Sequence, residues 1–331
     1  GSFALTAGIT IDGYSAQYRT GADDVVTVDG SKLADSVFKV TASGAEFISF
    51  NVIGGTAASG GAFNIALEKG YASMTGMTIL AGGNTVSGNG GLIAQTGGSL
   101  SISNSILMGG SAKGDGGAIY FSGSNLSLTN TSVTGNSATG NGGGILFVGQ
   151  NLTLSGTAIS NNTATGSGGG IHFTGNTLTA TYSTTATGAV DRYSSITGNQ
   201  SLKGDGGAVY VGTPAEGSTA ITLNGVNVQS NEALQGKGGA FYLTLGGASS
   251  FEIVDDANAT GSHASNITSN RALNGGAFYL NTTAWGENTK FTLGASLNGN
   301  SAVQNGGAIY VEGDLTLAGT ISFANNSVSK G

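Results

Sequence analysis

Residues 142–171 read GGGILFVGQNLTLSGTAISNNTATGSGGGI, and this stretch decides the fold. It opens and closes on one phrase, Gly142 to Ile145 and Gly168 to Ile171, set 26 residues apart. Between the two lie three short alternating segments. Ile145-Leu146-Phe147 follows the glycines, Leu152-Thr153-Leu154 follows Gly149-Gln150-Asn151, and Thr157-Ala158-Ile159 leads into Ser160-Asn161-Asn162. Alternation bounded by Gly, Asn and Ser marks half-buried strands and not a helix, and Gly149-Gln150-Asn151 is expected to be a turn.

Moving outward, the glycine phrase recurs nine times. It stands at Gly60 to Phe63, Gly90 to Ile93, Gly116 to Ile119, the two copies above, Gly206 to Val209, Gly238 to Phe241, Gly275 to Phe278 and Gly306 to Ile309. Gly91, Gly117, Gly143 and Gly169 are each 26 residues apart, whereas the later intervals are 38, 32, 37 and 31. Periods of this size mean stacked repeats, with excess length placed in loops outside the core.

The segments align into columns. The first buries Ile119 and Phe121, Ile171 and Phe173, Val209 and Val211, Phe241 and Leu243, Phe278 and Leu280, Ile309 and Val311. The second buries Leu100 and Ile102, Leu126 and Leu128, Leu178 and Ala180, Ile221 and Leu223, Phe251 and Ile253, Phe291 and Leu293, Leu315 and Leu317. The third contributes Val133, Ile159, Ile196, Val228, Ile267, Leu297 and Phe323. Stacked equivalents of this kind predict an all-β parallel β-helix with three short strands per coil, right-handed as β crossovers are. About twelve coils at ~4.8 Å would form a rod about 55 Å long.

An aliphatic or aromatic residue followed three places later by Asn closes each unit. It reads Val86 to Asn89, Val133 to Asn136, Ile159 to Asn162, Ile196 to Asn199, Val228 to Asn231, Ile267 to Asn270, Leu297 to Asn300 and Phe323 to Asn326. Asn tolerates left-handed backbone and its amide can bond to the next Asn in a stack, so an asparagine ladder is expected in a turn. Residues 1–60 carry strand-like stretches without the glycine phrase and are expected to form irregular coils or a cap. Residues 61–331 are expected to form regular repeats of the same elongated domain, cut from a longer protein.

Composition narrows the function. Only 9% of the 331 residues are charged and the net charge is −7, so no basic stripe exists for nucleic acid or anionic lipid. No apolar run is long enough to cross a bilayer as a helix, so no membrane insertion by this segment is expected. The absence of Cys excludes disulfides and thiolate metal sites and points to a bacterial surface protein. Acidic residues are scattered: Asp23-Asp24 and Asp255-Asp256 are sequence neighbours, and Asn141 and Ser167 interrupt the column of Asp115 and Asp205. His172 and His263 lack an evident nucleophile partner. Neither an enzyme nor a cofactor is therefore expected, polysaccharide lyase or hydrolase chemistry being the competing class.

With GGA-aliphatic at Gly116 to Ile119, Gly206 to Val209 and Gly306 to Ile309, and Phe-x-x-Asn at Phe323 to Asn326, the chain resembles the repeats of chlamydial polymorphic membrane proteins. It resembles other autotransporter passengers more loosely. Related forms cover roughly residues 60 to 331, with most Phe positions aliphatic. The resemblance implies a passenger domain on the outer-membrane surface or secreted from it, displayed by a C-terminal barrel beyond this chain. It also implies an adhesin, a virulence factor that attaches to a host-cell protein or glycan.

Two candidate surfaces follow from the residues themselves. Between the buried positions of the first strand, the outward column reads Tyr120, Leu146, His172, Tyr210, Tyr242, Tyr279 and Tyr310. In-register stacking would align these rings as a flat aromatic stripe suited to sugars or a partner protein, or as rings that merely brace their own sheet. The long intervals form loops near 182–193, 212–217, 246–261 and 281–288, carrying Asp191, Arg192, Glu216, Asp255, Asp256, Trp285 and Glu287. Trp285 is either a receptor contact or a cover over a coil edge. A structural stalk or self-associating protein is the alternative to an adhesin.

Overall fold

The structure, a computed structural model, describes residues 1–13, 26–184, 190–214, 217–254, 265–283, 285–286 and 288–330. Asp23, Asp24, Glu216, Asp255, Asp256, His263, Glu287 and Gly331 lie outside the described residues, as does the side chain of Asp191. Among the described residues there is no helix, and the chain winds as a parallel β-helix of three sheets. The second sheet has eleven strands, one from each coil. At ~4.8 Å per step that stack is about 50 Å long.

The first strand of every coil, and the second wherever it forms, belong to one sheet. In three successive coils they fuse into single strands, Ile119–Thr129, Ile145–Ser155 and Ile171–Thr181. The turn expected at Gly149-Gln150-Asn151 is therefore a bend inside a continuous strand. Gly123, Gly149 and Gly175 pair with one another, while the residue after each is skipped in the register. A Cβ on Gly149 would come within 2.4 Å of the Gly123 carbonyl oxygen and 2.9 Å of the Phe147 ring, so only glycine fits that bend.

The third strand forms the second sheet. A fourth segment, as short as Ser137–Ala138, forms the third sheet in eight coils, beyond the three strands per coil that the repeat pattern predicts. Its inward residue is small, as at Ala138, Ala164, Ser201, Ala233 and Ala272, because the corner beside it is tight. In the eight coils from Gly109 onward that corner is two residues long. The first has positive φ (Gly109, Gly135, Asn161, Gly198, Ser230, Ser269, Gly299, Asn325), and the second is the ladder asparagine or, once, Gly110. The ladder residue is thus not the left-handed one; its predecessor is.

Asn136, Asn162, Asn199, Asn231, Asn270, Asn300 and Asn326 form the ladder. Each Oδ1 from Asn162 onward accepts both the backbone N–H and the side-chain amide of the Asn in the preceding coil, at 2.8–3.0 Å. Asn89 does not belong to it, because Val86 pairs with Ala112 in the fourth segment.

Inside the rod the columns pack as the alternation requires. Ile119, Phe121, Leu126, Leu128 and Val133 are all buried, and Phe121, Phe147 and Phe173 stack face to face at 5.3–5.4 Å. The strands Phe3–Leu5, Thr10–Asp12 and Thr27–Asp29 pair in register with Phe38–Val40, Ala45–Ile48 and Asn51–Ile53. In the last coil, Leu317 and Phe323 are exposed and Ile309, Val311 and Leu315 are half-buried, contrary to the expected burial. This coil has a neighbour on one side only, and its second strand does not form.

Candidate binding surface

Register places the outward column of the first strand in one line: Ala94, Tyr120, Leu146, His172, Tyr210, Tyr242, Tyr279 and Tyr310 are paired in succession. From His172 onward the rings stack face to face, with centroids 4.6, 5.1, 5.2 and 5.1 Å apart and planes within 21°. The ring faces therefore cover one another, and the row turns its edges outward. Leu146 and Tyr279 are buried, while Tyr120, His172, Tyr210, Tyr242 and Tyr310 are half-buried. Tyr120 stands apart from the stack, between Ala94 and Leu146. A sugar ring could not lie flat along such a row, because its neighbours already occupy the π-faces.

A second ladder runs beside this row and could not be read from the sequence. In the turn before five of the nine glycine pairs, a side-chain oxygen accepts a backbone N–H from the next coil. The series runs from Asn89 to Asp115, Asp115 to Asn141, Asn141 to Ser167, Ser167 to Asp205 and Asp205 to Lys237, at 2.7–3.0 Å. Asp, Asn and Ser are interchangeable here because each supplies the same acceptor. Asp115 and Asp205 thus sit in one column without forming a carboxylate pair.

Burial tunes the groups along this seam. Burial holds the His172 imidazole below its ordinary value, against the opposing pull of Asp115 and a backbone bond to Ser167, and its Nδ1 has no hydrogen-bond partner. Burial also raises the carboxyl of Asp205, and it raises the phenol of Tyr210 with help from Tyr242. Lys237 donates to the Tyr279 hydroxyl at 2.9 Å and lies 4.4 Å from that ring's centre, and the Tyr279 hydroxyl donates to Glu312. Lys237 is raised chiefly by that bond to Tyr279. Its place in the turn before Gly238-Gly239, equivalent to Asp115, is the one sequence signal that could have found it.

The insertions produce the relief. Segments 212–219, 245–249 and 282–289 separate the first strand from the second, and a hairpin of Ser183–Thr184 with Val190–Arg192 separates the second from the third. All of them flank the second strand; the two-residue asparagine corner never lengthens. Where an insertion overhangs uninserted coils, a notch opens. One, of about 640 Å³, lies under Arg192 and is lined by Asn104, Ser105, Ile106, Asn130 and Ser132. The other, of about 560 Å³, lies beside Trp285, between its loop and the next coil. Trp285 is half-buried and packs 6.1 Å from Phe291, so it covers the coil edge while also lining that notch.

Two stretches, residues 156–174 and 294–312, match the Chlamydia polymorphic membrane protein repeat. In these two stretches the chain is similar to the Pmp repeat. Each Pmp-type match runs from the third strand through the ladder asparagine (Asn162, Asn300) and the glycine pair into the first strand, and includes His172 or Tyr310. Both stop before the second strand and its insertions. No curated protein and no solved structure matches the chain. The matches to the Pmp repeat, a family of outer-membrane surface proteins, support at a coarse level a surface protein of the autotransporter-like kind.

Proposed function

We propose that this chain is the adhesive segment of a bacterial surface protein, in which the coils act as a rigid spacer and the insertions beside the second strand contact a host-cell protein or glycan. The observation that carries this reading is that the long insertions at 183–192, 212–219, 245–249 and 282–289 all flank one strand, in coils spanning residues 171–293. Variable loops on a rigid scaffold are where recognition resides. The aromatic row serves chiefly to brace the first strand, since its rings spend their faces on one another. Under this reading the chain catalyses nothing itself, and release of unsaturated or reducing ends from a panel of acidic polysaccharides would contradict it.

The test is attachment of the purified, labelled 331-residue chain to cultured host cells by flow cytometry. Saturable attachment is expected, unchanged in Tyr242→Leu and reduced when residues 282–289 are replaced by the short connection of the following coil. Absence of saturable attachment to any host cell type would favour a stalk. Attachment lost in Tyr242→Leu but kept in the loop variant would return recognition to the aromatic row.

A further inference from the structure

The notch beside Trp285 has a chemistry of its own. Its apolar wall is Trp285 with the buried ring of Phe291, and its polar lining is Thr282, Thr283, Thr289, Asp314 and Thr316. Three of its four hydroxyl protons are already committed, while Thr316 Oγ1 makes no hydrogen bond among the described residues and the buried Trp285 Nε1–H has no partner. Thr282 Oγ1 donates to the Glu312 carbonyl at 2.9 Å, Thr283 Oγ1 to Asn281 Oδ1 at 2.6 Å, and Thr289 Oγ1 to the Gly247 carbonyl at 2.6 Å. Each therefore turns lone pairs, not protons, toward the notch. Asp314 is exposed and, among the described residues, makes no hydrogen bond or ion pair, so it too offers acceptors alone.

The loop that holds these groups is built and not draped. Trp285 N donates to the Thr282 carbonyl, Gly286 N to Thr289 Oγ1, and Trp285 bridges to Gly247 of the preceding coil. On the far side Thr282 approaches Gly313 so closely that a Cβ there would lie 2.2 Å from Thr282 Oγ1. Both walls are thus fixed relative to each other. The volume of about 560 Å³ falls within the range of small-ligand sites.

We propose that this notch binds a neutral pyranose, the terminal sugar of a host glycan, with its C–H face on Trp285 and its hydroxyls donating to Asp314 and the threonines. A rim in which acceptors outnumber the one free hydroxyl, Thr316, suits a ligand rich in O–H groups, and an aromatic wall needs an apolar face; a pyranose carries both. Carboxylated or phosphorylated sugars are disfavoured by the Asp314 carboxylate and the lone pairs of the committed threonines. The inference names the partner class for the adhesive reading above and depends on that reading only for its biological use. Many copies displayed on one surface would convert weak single-site binding into firm attachment.

Trp285 is the only tryptophan in the chain, so its fluorescence reports this notch alone. The 331-residue chain is titrated with methyl glycosides of galactose, glucose, fucose and N-acetylglucosamine, in parallel with sialic acid, glucuronate and lysine methyl ester. At least one neutral glycoside is expected to change the emission saturably with a millimolar midpoint, and Asp314→Ala is expected to weaken it by about tenfold, one lost charge-assisted hydrogen bond. Thermal unfolding of Asp314→Ala should match that of the parent, because the carboxylate supports no contact in the fold. Saturation-transfer NMR on the sugar protons provides a second measurement, with Trp285→Phe keeping the apolar cover. No saturable response to any neutral sugar by either method overturns the proposal, as does an unchanged midpoint in Asp314→Ala. A response confined to the acidic sugars or the amine overturns it as well. Because the titration uses no cells, its outcome is independent of whether the chain attaches to them.

Discussion

Asn199 illustrates how a single side chain fastens three coils. Its Oδ1 accepts Asn162 N and Nδ2, its own Nδ2 donates to the Ile159 carbonyl and to Asn231 Oδ1, and no part of it is exposed. Asn199→Ala strands two buried donors of Asn162 and is expected to cost about 3 kcal/mol in urea unfolding. Asn199→Asp sets an oxygen against two acceptors, and its destabilisation should shrink as the pH falls and the carboxyl protonates. Asp205 obeys the same sign. Burial raises its folded-state carboxyl above the ordinary carboxylate value, so the folded chain holds the proton more tightly and stability is lost as pH rises through that window. Asp205→Asn keeps an acceptor for Lys237 N and should raise Tm at about pH 7 while leaving it unchanged at about pH 3. His172 runs the opposite way. Its folded value is depressed below that of an ordinary imidazole, so its contribution is whole above the ordinary value and is lost as pH falls through the depressed one. His172→Tyr, matching its stacked neighbours, should remove this component from a Tm-versus-pH profile.

At the scale of one coil, the glycine pair divides two requirements. Gly142 has φ +66, and Gly143 faces the next coil so closely that a Cβ would lie 2.3 Å from the Gly169 carbonyl oxygen and 2.4 Å from the Thr163 carbonyl carbon. Both obstacles are backbone and cannot yield. Gly143→Ala is therefore expected to cost about 4 kcal/mol, at the upper end for single substitutions. Gly144→Ala makes the control, since Ala118, Ala208, Ala240 and Ala277 hold the same place in other coils, and thermal melts should separate the two variants clearly. The glycine phrase and the inward columns were legible because they repeat over several residues with large side chains. The fourth segment was not, because two residues with one small inward side chain fall below any periodic signal. The continuous 11-residue strands escaped for a related reason. Gly-x-Asn is turn chemistry by composition, and only the tight approach of Phe147 and the Gly123 backbone makes it a bend.

Along the whole molecule, cohesion comes from hydrogen-bonded ladders and stacked columns and hardly at all from charge. The described residues hold two ion pairs, Lys39 with Asp35 and Arg271 with Glu232, and each has at least one exposed partner. Unfolding free energy in urea should accordingly change by no more than about 0.5 kcal/mol between low and moderate NaCl, since surface pairs contribute little and salt screens them. Surface relief is equally global in origin. Each notch arises where the loop of one coil overhangs the short connection of another, a relation between residues far apart in sequence such as Trp285 and Asp314.

By itself the sequence determined the rod: the period, the inward columns, the asparagine ladder and the alignment of Tyr210, Tyr242, Tyr279 and Tyr310, because in a parallel stack each of these is a matter of counting residues. Only the tertiary structure decided what that alignment presents. Coils one strand spacing apart press the rings face against face, so the aromatic row turns its edges outward. The same close spacing turned Asp115 and Asp205 into rungs of a hidden second ladder, and the unequal loops of adjacent coils opened the notches that the linear chain does not display.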